Sequence, residues 1–282
     1  MKNKSIIFFL LIFVSLSEIK TYSQDSLSQT IEWKKDTIFT FTNEIVWNLD
    51  HFGNLYIADK DQLKKLDSKG KKLFSQSLKK YGEIAKIDVR NPMKLLLFSE
   101  QQQSLFYLDN TLTKQENDID LGDVETIGFE INYATQVSSS SQADKIWVYD
   151  QENSTINLIA SNQAQSIKIE NSAGLLNFSK VNQFFEANGN LWIVDPQKGI
   201  FTFDIYGTLL SHLEINEITW LEVDENYIYI LKENKIIITN LNSNSKKELI
   251  LPIKNVGKFK IREKSIYLES ENSIFKYKME IF

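Results

Sequence analysis

The sequence predicts an all-β fold, a six-bladed β-propeller built from four-stranded antiparallel blades. The first observation is a short apolar run with leucine or an aromatic residue in second place, which recurs at intervals of 40, 51, 45, 37 and 38 residues. The six runs are Leu55–Ile57, Leu95–Leu97, Ile146–Val148, Leu191–Ile193, Ile228–Ile230 and Ile266–Leu268. The second observation is their short length and their β-branched and aromatic content, which indicate strands rather than helices. A strand-bearing repeat of about forty residues is typical of propeller blades.

The N-terminal residues 1–23 predict a signal peptide. Lys2 and Lys4 precede the apolar run Ile6–Val14, and the small residues Thr21 and Ser23 stand before the expected cleavage site. The apolar run is too short for a membrane-spanning helix, which needs about 20 residues. We therefore expect residues 24–282 to form the propeller outside the cytoplasm, periplasmic or secreted, with no membrane span after cleavage. An uncleaved N-terminal anchor and an earlier cleavage site are the alternatives.

The composition limits the partners that the mature chain is expected to bind. A chain of this length buries enough apolar surface to be stable without disulfides, so the absence of cysteine is compatible with export. The formal net charge of −5 argues against nucleic acid and against anionic membrane surfaces as partners. A protein or a component of the cell envelope is the expected partner.

Two repeats show the order of strands within a blade, which we label A to D from the channel outward. In the first repeat we expect strands at Val46–Asp50, Leu55–Ala58, Leu63–Leu66 and Leu73–Leu78. In the fourth we expect them around Phe184–Phe185 and at Leu191–Val194, Ile200–Phe203 and Leu209–Leu213. The remaining C strands are predicted at Phe106–Leu108, Ile156–Ile159, Ile236–Ile238 and Ile274–Tyr277.

The last repeat lacks a fourth strand. Its predicted strands are Lys258–Ile261, Ile266–Glu269 and Ile274–Lys278, after which the chain ends. An unassigned strand at Asp36–Thr42 precedes the first blade. Because open sheet edges are unfavourable, we expect Ile38–Phe41 to pair with the final blade and to close the ring.

The interval of 51 residues indicates an insertion. We place it at Ile131–Asp144, a serine-rich and glutamine-containing segment, in the A-to-B turn of the third blade. We expect this segment to be mobile and to be a place where a partner makes contact.

The acidic run Asp118–Asp123 suggests a calcium loop at first sight. However, Gly122 and Phe129 stand where an EF-hand needs carboxylates. The run is better explained as a solvated link between blades.

The first and fourth repeats resemble the NHL repeat. Residues 54–59, Asn-Leu-Tyr-Ile-Ala-Asp, and the later turn Asp67-Ser68-Lys69-Gly70 are similar to its consensus, as are residues 188–195 and the turn Asp204-Ile205-Tyr206-Gly207. The other four repeats are degenerate. The resemblance implies a six-bladed ring of the TolB-like superfamily. NHL propellers mostly bind partners, whereas related six-bladed propellers include lactonases and amidating lyases.

No motif identifies a catalytic residue. The chain has no Gly-x-Ser-x-Gly elbow, no thiol and no phosphate loop, and His51 and His212 lack the spacing of metal ligands. A calcium-dependent enzyme would need acids near the ends of inner strands, where Asp50, Asp88 and Glu186 are expected. We predict no catalytic residue, no bound metal and no cofactor.

Trp47 and Trp220 are the candidate binding residues. Each stands eight residues before the first residue of its repeat core, Leu55 or Ile228, so both should face the same way from strand A. Two orientations are open. The indole rings either fill the space between blades or face the channel, where they would offer a stacking surface for a ligand.

These observations favour an exported, non-catalytic propeller that binds a protein or envelope component through one face. A calcium-dependent propeller hydrolase or lyase is one alternative. A structural scaffold subunit of an envelope complex is the other.

Overall fold

The computed structural model describes residues 32–160, 167–169 and 178–279. In these ranges the chain forms six four-stranded antiparallel sheets and one short helix. The sheets are the blades of a propeller, so the predicted fold class is confirmed. The predicted signal peptide, residues 1–23, lies outside the described residues.

Each of the first five blades consists of four consecutive strands, and the sixth combines three strands with the first strand of the chain. Blades 1 and 2 contain β2 (Ile45–Leu49), β3 (Leu55–Asp59), β4 (Gln62–Leu66), β5 (Lys72–Ser77), β6 (Lys86–Asp88), β7 (Leu95–Ser99), β8 (Ser104–Leu108) and β9 (Lys114–Asp120). Blades 3 and 4 contain β10 (Ala134–Ser139), β11 (Lys145–Asp150), β12 (Thr155–Ala160), β13 (Ile167–Ile169), β14 (Gln183–Ala187), β15 (Asn190–Asp195), β16 (Gly199–Asp204) and β17 (Leu209–Leu213). Blades 5 and 6 contain β18 (Trp220–Val223), β19 (Tyr227–Lys232), β20 (Lys235–Asn240), β21 (Lys246–Ile250), β22 (Val256–Arg262), β23 (Ser265–Ser270), β24 (Ser273–Lys278) and β1 (Lys34–Thr40).

The apolar core is divided among the interfaces between neighbouring blades. Each of the six interfaces holds its own cluster of buried side chains. Because the central strands of a blade are covered on both faces, they are apolar at nearly every position, as β7 shows with five buried residues. This is why the repeat core was visible in the sequence.

The turns between strands C and D of blades 1 and 4 are stabilised in the same way. The carboxylate of Asp67 accepts hydrogen bonds from the backbone N–H of Lys69 at 2.9 Å and of Lys71 at 2.8 Å. Asp204 accepts in the same way from Tyr206 and Thr208, at 2.9 and 2.8 Å. The glycine of each Asp-x-x-Gly turn has a positive φ, which costs glycine little. The motif that resembles the NHL repeat therefore builds this turn.

The N-terminal strand closes the ring as predicted. Ile38 of β1 lies opposite Phe275 of β24, and the backbone N–H of Phe41 donates to the carbonyl of Asn272 at 2.9 Å. Phe39 and Phe41 also pack against the apolar cluster between blades 6 and 1. The first and last segments of the chain thus hold one sheet together.

The prediction of an insertion at Ile131–Asp144 is wrong. Residues Ala134–Ser139 form β10, the inner strand of blade 3, with Ala134 and Val137 fully buried. The extra residues lie earlier, between β9 and β10, where Val124–Ile127 forms the helix α1. The segment was predicted to be an insertion because it is rich in serine. Serine is compatible with this inner strand because one side of the strand faces the channel, where polar side chains are allowed.

The acidic run is only partly a link between blades. Asp118 and Asp120 belong to the outer strand β9, and Asp118 pairs with Lys80 at 2.7 Å and with Lys114 at 2.9 Å. Asp123 caps α1 by accepting from the N–H of Glu125 at 3.1 Å. One face of an outer strand is exposed to solvent, so alternating acidic residues are as compatible with such a strand as with a loop.

Candidate binding site in the central channel

The channel holds a cavity of about 510 Å³, to which the inner strand of every blade contributes. Its volume lies within the range of about 300–1,000 Å³ that is usual for small-molecule sites. In the described residues, the A-to-B turns lie at one end of the channel, and the C-to-D turns lie on the same side of the ring. We call this side the A–B face. The B-to-C turns and the links between blades lie at the other end.

The wall of the cavity is unusually rich in charge for the interior of a protein. Nine charged side chains line it: Lys86, Asp88, Arg90, Glu186, Glu222, Lys258, Lys260, Arg262 and Glu269. Five are basic and four are acidic, so the channel is slightly basic although the chain as a whole is acidic. Two ion pairs are formed among them, between Arg90 and Glu186 at 3.0 Å and between Lys260 and Glu222 at 2.7 Å.

Glu186 is the most heavily bonded carboxylate of the site. Its side chain is 1% exposed and accepts from the indole nitrogen of Trp147 at 2.7 Å and from the backbone N–H of Ser141 at 2.9 Å. Burial on its own would raise the pKa of Glu186, but the bonds from Ser141 and Trp147 and the charge of Arg90 outweigh burial and hold this pKa below its ordinary value. Glu186 therefore remains ionised and links blades 2, 3 and 4 through its hydrogen bonds.

Lys258 lies between the two tryptophans that the sequence singled out. Its ammonium nitrogen is 4.5 Å from the centre of a Trp47 ring and 5.0 Å from that of Trp220. It also donates a hydrogen bond to the backbone carbonyl of Trp47. Burial, together with the positive charges of Lys260 and Lys86, lowers the pKa of Lys258 to about 7.

Lys86 reaches across the channel from blade 2 to blade 4. Its ammonium group donates to the backbone carbonyl of Phe184 at 2.9 Å. Burial lowers the pKa of Lys86 to about 8, although Asp88 partly offsets that effect. At pH 7 the ammonium form therefore predominates for Lys86, and Lys258 is divided about equally between its charged and neutral forms.

Trp47 and Trp220 occupy equivalent positions on the inner strands of blades 1 and 5, as their common register suggests. Trp47 is 1% exposed and packs in the cluster between blades 6 and 1, whereas Trp220 packs against the cluster between blades 5 and 6. Both also contribute to the wall of the cavity. Their role in binding a ligand stays a prediction.

The three acids considered for calcium do not converge. Asp50 accepts from the side chains of Asn54 at 2.8 Å and Tyr56 at 3.0 Å, within its own turn. Asp88 accepts from the N–H of Ser139 at 2.8 Å. Across the ranges that the structure describes, no three His, Cys, Asp or Glu side chains are grouped as metal ligands would be.

The two histidines lie in different places. His51 belongs to the A-to-B turn of blade 1 and contributes to the mouth of the cavity, where its ring lies 3.9 Å from that of Phe52. His212 lies in the outer strand β17 and stacks on Phe201 at 3.9 Å. Both histidines are exposed, His51 at the rim of the channel and His212 on an outer strand.

Proteins of solved structure share the fold of this chain. Over 88% of its length the chain matches 99% of a virginiamycin B lyase from Staphylococcus aureus, with a TM-score of 0.60 and 13% identity. It matches 96% of the Pan2 WD40 domain of Neurospora crassa with a TM-score of 0.61 and 10% identity. The likeness is one of fold. The propeller also matches, over 83% of its own length and 34% of the other chain, an extracellular domain assigned to a hybrid two-component system of B. thetaiotaomicron, with a TM-score of 0.55 and 13% identity.

No relative of this chain is found by sequence similarity. No protein-family model matches the chain, and no curated protein matches it. The six-bladed ring that the NHL resemblance implies is confirmed by the structure, and the structural neighbours share the propeller fold.

The charged lining of the channel was missed from the sequence, although a signal exists. Inner strands of two blades carry charges at every second position, Lys86-x-Asp88-x-Arg90 in blade 2 and Lys258-x-Lys260-x-Arg262 in blade 6. Alternate residues of a strand point to the same side, so each series places three charged groups on one side. The two series line the same cavity.

Proposed function

We propose that the protein is an exported, non-catalytic propeller that binds a protein or another envelope component through its A–B face. The observation that carries this proposal is the exposure of three large apolar side chains on turns of three blades. Phe52 is 67% exposed, Met93 59% and Tyr206 70%, and all three lie on the A–B face. Exposed apolar and aromatic side chains on one face are typical of interaction surfaces.

The surroundings of the channel mouth support a polar component of the interface. His51, Arg90 and Arg262 lie at the same end of the channel as these apolar side chains. The guanidinium of Arg262 donates to the backbone carbonyls of Asp50 at 3.3 Å and of Leu49 at 3.4 Å. Among the described residues, no carboxylate lies within ion-pair distance of Arg262. An acidic group of a partner would complement it.

Export is supported by the order of residues at the N-terminus and by one structural neighbour. The extracellular domain from B. thetaiotaomicron has the same fold. Within the part of the chain that the structure describes, no helix is long and apolar enough to span a membrane. N-terminal sequencing of the exported protein should begin near Gln24. Recovery of intact Met1 from the cytoplasm would contradict export.

The state of the channel acids favours binding over catalysis. Glu186, Glu222 and Glu269 each accept a hydrogen bond of 2.7 Å from a tryptophan indole nitrogen. Acids that are engaged in this way hold strands together and are poorly placed to exchange their partners for a calcium ion. The scaffold alternative is distinguished from the leading proposal because a scaffold subunit would be lost from the membrane fraction when its partner is deleted.

The calcium-dependent enzyme is kept as the second candidate because virginiamycin B lyase shares the fold. One of its structures is of a form inactivated by a histidine-to-alanine substitution. In this chain His51 is the histidine at the channel mouth. One equivalent of bound calcium, lost together with esterase or lactonase activity on chelation, would favour this candidate.

Capture of partners from the protein's own cells tests the leading proposal. Immobilised mature chain should recover a partner that the variant Phe52→Ser, Tyr206→Ser loses. The matched control, Leu210→Ser, Ile250→Ser, alters two equally exposed apolar residues on outer strands. Retention by the control and loss by the first variant supports binding through the A–B face. Equal recovery by both variants would contradict it.

A further inference from the structure

Three lysine side chains from two blades meet inside the channel. Lys86 comes from β6, and Lys258 and Lys260 come from β22. Each of the three charges influences the titration of another, so their ammonium groups are close enough to repel one another. A cluster of like charges in a cavity is unfavourable unless something neutralises it.

Only one of these lysines has its charge balanced by a direct ion pair. Lys260 pairs with Glu222 at 2.7 Å. Lys86 and Lys258 donate to backbone carbonyls, of Phe184 and Trp47, and form no ion pair with any carboxylate of the described residues. Two cationic donors therefore face the cavity without a fixed counter-ion.

We propose that the channel binds a small organic anion, whose anionic group lies beside Lys86 and Lys258 and whose apolar part lies against Trp220 and Phe185. The cavity of about 510 Å³ accommodates a molecule of that size. Ammonium groups form strong, charge-assisted hydrogen bonds with carboxylate, sulfate and phosphate oxygens. Trp220 and Phe185, on the inner strands of blades 5 and 4, add aromatic surface to the same cavity. This site lies inside the channel and does not depend on a partner at the A–B face.

Binding of an anion is coupled to protonation of the two amines. The charged groups that face them are Lys260, Glu222, Glu269 and Asp88. An added negative charge favours the ammonium forms, so the pKa of each lysine rises on binding and protons are taken up. Because the pKa values in the free protein are about 7 and about 8, affinity should increase as the pH falls from about 9 to about 6.

Calorimetric titration of the mature protein with sulfate and with phenyl sulfate tests the proposal. Both probes stay ionised over the whole pH range, so any proton uptake comes from the protein. We expect saturable one-to-one binding that is tighter for phenyl sulfate than for sulfate. Proton uptake should appear as a dependence of the observed binding enthalpy on the ionisation enthalpy of the buffer. Absence of saturable binding by both probes, or binding without proton uptake, would overturn the proposal.

Lysine variants locate the binding to the channel. Lys258→Met and Lys86→Met should each weaken phenyl sulfate binding by about tenfold or more, since each removes one charged donor. Lys264→Met is the matched control, because Lys264 is exposed on a turn and does not line the cavity. Thermal melts confirm that each variant is folded. Unchanged affinity in both channel variants would overturn the proposal, and it would leave the partner at the A–B face to be judged by its own capture experiment.

Discussion

The indole nitrogen of Trp47 donates a hydrogen bond of 2.7 Å to a carboxylate oxygen of Glu269. The two residues are 222 positions apart, one in the inner strand of blade 1 and the other in blade 6. The contact therefore crosses the seam where the ring closes. Lys258, from the same sixth blade, lies over the Trp47 ring. A polar network thus accompanies the apolar cluster at this seam.

Removing the indole donor should weaken the seam. Trp47→Phe keeps an aromatic ring but leaves the carboxylate of Glu269 without its donor, which should lower the free energy of unfolding by about 1–3 kcal/mol. Trp192→Phe is the control, because Trp192 donates to Ala187 within its own blade at 3.1 Å. A double-mutant cycle of Trp47→Phe with Glu269→Gln, measured by chemical denaturation, should give a coupling of about 1 kcal/mol. Strict additivity would contradict a direct bond.

Removing the closing strand should cost more than any single substitution. A chain that begins at Asn43 lacks β1, exposes the edge of β24 and loses the packing of Phe39 and Phe41. We expect its free energy of unfolding to fall by about 4 kcal/mol or more. The control begins at Glu32, which keeps β1 and the edge-to-face contact of Trp33 with Tyr277, 5.7 Å between ring centres. Equal melting temperatures for the two chains would show that the ring does not depend on this strand.

The fold could be predicted because its repeating signal lies in strands B and C. These strands are covered on both faces, so their residues are apolar almost without interruption, as in Leu95–Leu97. The closure followed from counting strands and from the cost of an open edge. Trp47 and Trp220 were found through a shared register, and the structure gives them a shared neighbour in Lys258.

The lining of the channel is harder to predict than the fold because inner strands face two environments. Ser138 of β10 and Lys258 and Lys260 of β22 line the cavity, so these strands lack an apolar signature. Glu186 shows a second reason, since its donors Arg90, Ser141 and Trp147 come from blades 2 and 3. The sequence carries no local signal that the folded blades bring Glu186 and its three donors together.

Gly199 should tolerate no side chain. Its φ is +104°, and a Cβ atom there would lie 2.0 Å from the backbone carbonyl oxygen of Leu213 on the neighbouring strand. Gly199→Ala should therefore separate β16 from β17 and lower the free energy of unfolding by about 3 kcal/mol or more. Gly189→Ala is the matched control, because Gly189 has a φ of +70° but open space around it. Its cost should be about 1 kcal/mol. Thermal melts in which both variants lose the same stability would contradict the close approach.

Glu186→Gln should lower the free energy of unfolding at neutral pH. The difference from the natural sequence should be smaller in acid. In the folded protein the hydrogen bonds from Ser141 and Trp147 and the charge of Arg90 overcome the effect of burial, so the pKa of Glu186 lies below its ordinary value. A carboxyl with a lowered pKa contributes stability above its pKa in the unfolded chain, near 4.3, and that contribution is lost as the pH falls through the folded value. We expect the variant to be about 1–3 kcal/mol less stable at about pH 7, with the difference shrinking below about pH 4. Urea denaturation across this range measures the difference, and Glu263→Gln, at an exposed turn, serves as the control. A difference that stays constant into strong acid would show that Glu186 stabilises the blades through packing alone, and not through its charge.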